Sequence, residues 1–231
     1  GSVYRFTPGV GMTSLHDYTP ATGTVPYPGL TRDGAGNLYG TSFSGGQHGV
    51  GTVFRVSAAG VHTVLHNFND ATSVAYNPVG GVVRDGSGNL YGAANAGIYR
   101  LTAGGQFTLL HIFTGSNGQN PTSTPMIDPA GNLIGTANMG GSFPAQGVIY
   151  SLSPGGTYTA LHTFGQVVGA AANPYAGVIA DAAGNLYGTT QNGGSAGFGT
   201  VFRWSPTAGL TILHNFDGTT GRNPMGGLIR D

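Results

Sequence analysis

Seven histidines, eight aspartates and eight arginines hold most of the reactive chemistry available to this chain. Histidine can ligate a metal or move protons, paired carboxylates can hydrolyse a glycosidic bond, and arginine can hold an anion. Five histidines, His16, His66, His111, His162 and His214, recur about every 50 residues in the phrases "LHDY", "LHNF", "LHIF", "LHTF" and "LHNF". A residue that returns once per repeat, in an outer strand, lies far from its own copies, whereas zinc–nitrogen bonds are about 2.0–2.1 Å long. The five therefore read as packing residues with a local hydrogen bond. His48 and His62 do not recur, and neither has a Cys or a paired carboxylate beside it. Cysteine is absent, which excludes disulfides and thiolate metal sites. No metal and no cofactor is expected.

Asp33, Asp85, Asp128, Asp181 and Asp231 each stand seven residues after a proline, and the first four open the phrase D-x-x-G-N-L-[YI]-G. Such an aspartate can accept backbone N–H bonds across a tight turn, and a glycine such as Gly88 can supply the left-handed residue. These five are expected to be structural turn residues. Asp17, Asp70 and Asp217 remain. Glycoside hydrolysis needs two carboxyl groups roughly 5–10 Å apart, and Asp70 and Asp217 follow equivalent strands of different blades, so a glycan-active hydrolase stands only as an alternative. Histidines in outer strands are poorly placed to serve a nucleophile in a central pocket, and the glycine loops "SGGQHGVG" and "GGSAGFG" lack the GK[ST] ending of a phosphate loop. No catalytic residue is expected. Arg5, Arg55, Arg100 and Arg203 share one repeat position, and Arg32, Arg84 and Arg230 share another. They read as partners for carboxylates or loop carbonyls. Aromatic platforms suit sugar rings. Tyr27, Tyr76 and Tyr175 near the prolines, with Phe43, Phe143 and Phe198 in the glycine loops, form the candidate ligand-binding set.

The elements that hold these residues follow from the repeats. Four phrases recur in fixed order: "VFRV"-like, "LHNF"-like, a proline-to-aspartate stretch, and "GNLYG". Glu and Lys are absent, Gly numbers 44, and the apolar residues fall in short Val, Ile, Leu, Tyr and Phe runs. Short strands separated by turn residues, at a period near 50, predict an all-β, five-bladed β-propeller of four-stranded antiparallel blades, one domain over 1–231. Within a blade the expected order is the proline-to-aspartate strand innermost, then "NLYG", "VFRV" and "LHNF". Gly29, Gly81, Gly177 and Gly227 let crowded inner strands approach. "VYRF" and "SLHDY" near the N-terminus and "GGLIRD" at the C-terminus would share the closing blade, which lacks a fifth "GNLYG". A longer polypeptide, an open blade, or a strand donated by a neighbouring molecule would each account for that. The irregular glycine loops and the stretches before the prolines fall at one end, where ligand contacts are expected.

The phrases "NLYGTT", "GTVFR", "LHNF" and "NPMGGLIRD" resemble the glycine-rich GloVer repeat of cyanobacterial and verrucomicrobial proteins, across essentially the whole chain. The resemblance implies exported bacterial proteins, many with a C-terminal surface-anchoring signal, and no defined activity. Size and blade number are also similar to those of five-bladed propeller lectins, although their sugar-binding motifs do not match. Zero net charge argues against nucleic-acid binding. No apolar run approaches the ~20 residues of a membrane-spanning helix. The expectation is an extracellular or cell-surface binding or adhesion module, non-enzymatic, with glycans or cell-surface polymers as partners. The alternative is a fibre or assembly subunit that joins copies of itself by strand exchange.

Overall fold

Each D-x-x-G-N-L-[YI]-G phrase folds as a hairpin fastened by its own aspartate. In the second repeat, Asp85 Oδ1 accepts the backbone N–H groups of Ser87 and Asn89 at 2.9 and 2.8 Å. Its Oδ2 accepts the Asn89 side-chain amide at 2.8 Å and the Tyr91 hydroxyl at 3.0 Å. Asp33 and Asp181 accept the same four bonds. Asp128 accepts three, because Ile134 replaces the tyrosine. Gly88 completes the turn at φ 88°, where a side chain would cost about 1–2 kcal/mol. Each of these four aspartates accepts donors from its own turn.

The computed structural model describes residues 1–69, 75–141, 146–165, 167 and 169–230. Asp70, Phe143 and Asp231 lie outside the described residues. The chain divides into two units, Gly1–Leu110 and His111–Asp231. In the first, β1 (Ser2–Thr7) and β2 (Gly11–Asp17) form a two-stranded sheet. The first blade comprises β3 (Thr24–Pro26), β4 (Thr31–Arg32), β5 (Leu38–Ser44), β6 (Thr52–Val56) and β7 (His62–Asn67), with β3 and β4 both paired to β5. The second comprises β8 (Pro78–Arg84), β9 (Leu90–Ala94), β10 (Gly97–Leu101) and β11 (Phe107–Ile112), the last running into the second unit. That unit holds the third blade, β12 (Met126–Ile127), β13 (Leu133–Ala137), β14 (Val148–Leu152) and β15 (Tyr158–Thr163). It also holds the fourth, β16 (Ile179–Ala180), β17 (Leu186–Thr190), β18 (Thr200–Ser205) and β19 (Gly209–Asn215). Every blade is antiparallel, its strands follow the order expected from the repeats, and no helix occurs among the described residues. The proline-to-aspartate strand is less regular than expected. It is split into β3 and β4 in the first blade and is two residues long in the third and fourth. Residues 223–230 carry no strand.

The apolar cores lie where neighbouring blades meet. Val53 and Phe68 of the first blade pack with Val82, Leu90, Tyr99 and Leu101 of the second. Ile134, Ile149 and Phe164 of the third pack with Leu186 and Phe202 of the fourth. Phe54, Tyr99, Tyr150 and Phe202 are fully buried at one repeat position. Each ring covers the glycine that ends "LYG" or "LIG". A Cβ on Gly40 or Gly188 would stand 2.7 Å from the ring of Phe54 or Phe202, and one on Gly92 or Gly135 would collide with the Tyr99 or Tyr150 hydroxyl. The threonine after that glycine ties one blade to the next, as Thr136 Oγ1 donates to the Ala176 carbonyl at 2.9 Å and Thr189 Oγ1 to that of Gly226 at 3.1 Å. Inner strands approach through glycine as expected, since a Cβ on Gly81 would strike the Gly29 carbonyl.

Two expectations follow. Gly92→Ala should lower the urea-derived unfolding free energy by about 1–3 kcal/mol, the usual effect of overpacking. Gly86→Ala, with nothing within 4 Å of the added carbon, should stay within about 0.5 kcal/mol of wild type. The second concerns acid. The Asn37 side chain, with backbone N–H and tyrosine donors, holds Asp33 at about 2 from an ordinary 3.8, and Asn185 does the same for Asp181. Depressed folded-state values stabilise the fold above the unfolded pKa, and that contribution drains away as pH falls through the folded one. Melting temperature should therefore fall between pH 4 and 2, and Asp33→Asn with Asp181→Asn should flatten that fall in a calorimetric pH series.

Candidate functional site

The repeat histidines stand in ladders of aromatic rings. His66 stacks on Phe107 with centroids 4.2 Å apart and planes 4° from parallel, and it meets Phe68 edge-on at 5.0 Å. His111 stacks on Tyr158 at 4.4 Å and meets Phe113 at 4.9 Å. His16 stacks on His62 at 3.9 Å. His162 and His214 meet Phe164 and Phe216 edge-on. The L-H-x-aromatic spacing thus places a histidine and its perpendicular ring on one strand face. His62 does not recur as a histidine, and it fills the stacking position that Phe107 and Tyr158 hold at the same place in their repeats. Local hydrogen-bond partners are present at His16, with Thr22 Oγ1 at 3.3 Å, and at His111, with Asn117 Nδ2 at 3.3 Å. Burial lowers the pKa of His66, His111 and His162, and burial followed by the His16 charge lowers His62 to about 4. Neutral rings in such ladders act as packing. Among the described residues no three His or Asp side chains gather in a metal-holding group.

The carboxylates are similarly occupied. Asp217 Oδ1 accepts the backbone N–H and hydroxyl groups of both Thr219 and Thr220 at 2.8–3.0 Å, and these bonds hold it well below the usual carboxylate range. Asp17 accepts the Ser14 hydroxyl at 2.9 Å. The arginines depart from expectation. None forms an ion pair among the described residues, and the Nε atoms of Arg55, Arg84, Arg100 and Arg203 are buried without a hydrogen-bond partner. The turn aspartates are not available to them, since each already receives three or four local donors.

A groove of about 500 Å³ opens in the first unit, lined by Tyr4, Tyr18, Pro26, Tyr27, Pro28 and Leu30. Tyr4 holds the repeat position of the fully buried Phe54, Tyr99, Tyr150 and Phe202, yet β1 has no "NLYG" strand beside it in its sheet, and Tyr4 is 57% exposed. Tyr18 holds the position of Phe68 and Phe113. Its ring packs edge-on against Phe54 at 5.4 Å, its hydroxyl is buried without a partner, and burial pushes its pKa up. The Tyr27 ring lies 5.9 Å from that of Phe43. Beside them Val25 adopts φ 52°, where the other repeats place Asn77, Asn120, Asn173 and Asn223. The side-chain amides of Asn77, Asn173 and Asn223 donate to the carbonyls of Phe43, Asn138 and Gln191, a bond that valine cannot make.

Of the aromatic set chosen from sequence, Tyr27 and Phe43 come together. No ring contact joins Tyr76, Tyr175 or Phe198 to another member among the described residues. Tyr175 accepts the Thr122 hydroxyl through its carbonyl at 2.6 Å, and Phe198 accepts the Asn223 N–H at 2.7 Å. Phe143 is outside the described residues. Sequence reasoning missed Tyr4 and Tyr18. The signal was there: two positions filled by core rings elsewhere fall in the one hairpin without its "NLYG" partner.

Solved structures similar to this chain are β-propeller proteins. Virginiamycin B lyase from Staphylococcus aureus superposes with a TM-score of 0.58 at 13% identity, over 86% of this chain and 58% of the lyase chain. A putative gluconolactonase gives 0.57 at 11% identity, over 91% and 69%. The extracellular domain of a putative hybrid two component system from B. thetaiotaomicron gives 0.58 at 13% identity, over 85% and 24%. These likenesses show the propeller fold and nothing of activity. This chain spans little more than half the length of the lyase. No curated protein matches it in sequence. Residues 77–231 match the Gloeobacter/Verrucomicrobia repeat, and the chain belongs to that repeat family.

Proposed function

We propose that the chain is a non-enzymatic binding module of an exported bacterial protein and that its ligands are glycans held in the tyrosine groove. The groove supports this reading most directly. Tyr4 and Tyr27 offer faces on which a sugar ring can stack, with Tyr18 lining the groove beside them. The likeness to an extracellular domain agrees with export. The carboxylates favour binding over hydrolysis. A glycosidase acid needs a raised pKa, whereas the shifts at Asp33, Asp85, Asp181 and Asp217 all run downward. On a glycan array, wild type should bind at least one neutral oligosaccharide. Tyr27→Ala should weaken that binding about tenfold, the effect of losing one stacked ring. An array with no hits, or unchanged binding by Tyr27→Ala, would overturn the reading.

A second reading, assembly by strand exchange, is favoured by the β1–β2 sheet. In that sheet β1 pairs along one edge with β2, and Tyr4, Phe6 and Met12 are 57%, 67% and 71% exposed. Open, apolar strand edges invite another chain. Sedimentation at rising concentration should then show growing oligomers that Phe6→Lys abolishes. A monomer throughout the series would dispose of it.

A further inference from the structure

Arg55 and Arg84 face one cavity of about 150 Å³ at the seam between the first and second blades, together with Tyr39, Leu65 and Leu101. Arg55 comes from β6, Tyr39 from β5 and Arg84 from β8. Both arginines are half-buried, and both Nε atoms are shielded from solvent without an acceptor. The nearby carboxylate, Asp33, is taken by Asn37, by two backbone N–H groups and by the Tyr39 hydroxyl itself. Arg84 lies 5.9 Å above the Tyr39 ring. That contact steadies the cation but supplies no oxygen to its N–H groups. Two like charges in a partly desolvated cleft repel each other unless an anion is shared between them. The guanidinium fork fits the two oxygens of a carboxylate, sulfate or phosphate. A cavity of this size accepts such a group with a few waters, each needing about 30 Å³, and leaves the remainder of the ligand outside.

The arrangement is repeated. Arg5 and Arg32 stand at the equivalent positions and line a cavity of about 430 Å³ between the β1–β2 sheet and the first blade. Arg203 and Arg230 hold the same two positions in the second unit, and both act electrostatically on Tyr187, as Arg55 and Arg84 do on Tyr39. Elsewhere the pair is incomplete in sequence, with Arg100 matched by Ile127 and Ser151 by Ala180. Successive clefts of one charge suit a polymer whose own charges repeat.

We propose that the Arg55–Arg84 cleft, with Tyr39 beneath it, binds an oxyanion, and that the oxyanion is the sulfate or carboxylate of an acidic polysaccharide. This site is separate from the tyrosine groove and stands whether or not neutral glycans bind there. Calorimetry with dextran sulfate, neutral dextran, sodium sulfate and duplex DNA tests it, at matched ionic strength. Dextran sulfate should bind and neutral dextran should not. The Arg55→Gln, Arg84→Gln double variant should bind dextran sulfate at least about tenfold more weakly, as expected for lost charge-assisted bonds. Arg100→Gln, at an unpaired position, should bind as wild type does. Melting temperature in sodium chloride checks that each variant is folded. For the single Lys variants at Arg55 and Arg84, which keep the charge and lose the fork, weakened binding is expected and wild-type affinity would count against the cleft. Equal affinity of the folded double variant, or equal loss in Arg100→Gln, would overturn the site. Binding of sodium sulfate alone, or DNA binding as tight as dextran sulfate, would overturn the polysaccharide as its ligand.

Discussion

The rings of Phe54, Tyr99, Tyr150 and Phe202 reach their places because the next strand offers hydrogen where a Cβ would collide, so a glycine in one strand and a ring in its neighbour constrain each other. The burial of the ring draws the third strand's face into the seam, where a fully buried side chain of this size contributes about 1.5–3 kcal/mol. From that contact follow the register of "LYG" against "VFR" and the placing of threonine Oγ1 opposite the next blade's carbonyl. The cores fall between sheets instead of within them for the same reason. Where the constraint is incomplete, at β1, the ring position becomes the exposed Tyr4 and the seam becomes a groove.

Net charge of zero conceals how the charges are used. Eight arginines and eight aspartates balance on paper. The described turn aspartates instead spend their lone pairs on hairpin N–H groups, on asparagine amides and, in three hairpins, on a tyrosine hydroxyl. Their negative charge is fixed at the turns by donors that carry no full charge. Arg84 is left over the Tyr39 ring, and the buried Nε atoms of Arg55, Arg84, Arg100 and Arg203 have no acceptor. A neutral chain can in this way present cationic clefts, which formal charge counting does not reveal.

Much of this was legible in the sequence because the repeats are long and their punctuation is specific. D-x-x-G-N names a hairpin, since aspartate, left-handed glycine and asparagine each have a local physical reason to be there. The order of strands within each blade followed from the order of the phrases. The packing role of His66 and His111 followed from their period. Other features depended on contacts that no local pattern encodes. The pairing of Arg55 with Arg84 joins residues of two blades. The stacking of His62 on His16 joins the β1–β2 sheet to the first blade. The exposure of Tyr4 depends on which strand stands beside β1, and the splitting of the first inner strand into β3 and β4 accompanies a valine at φ 52° where asparagine was the rule.

The fastening of Asp33, Asp85, Asp128 and Asp181 is complete within seven residues of chain. Each hairpin can therefore form before any distant part of the molecule has arrived, and the entropic cost of closing so short a loop is small. The seams, by contrast, join residues about one repeat apart. Folding is set to proceed as a row of independently formed turns whose sheets associate afterwards, so the slow step belongs to the junctions between neighbours, as in other tandem-repeat chains.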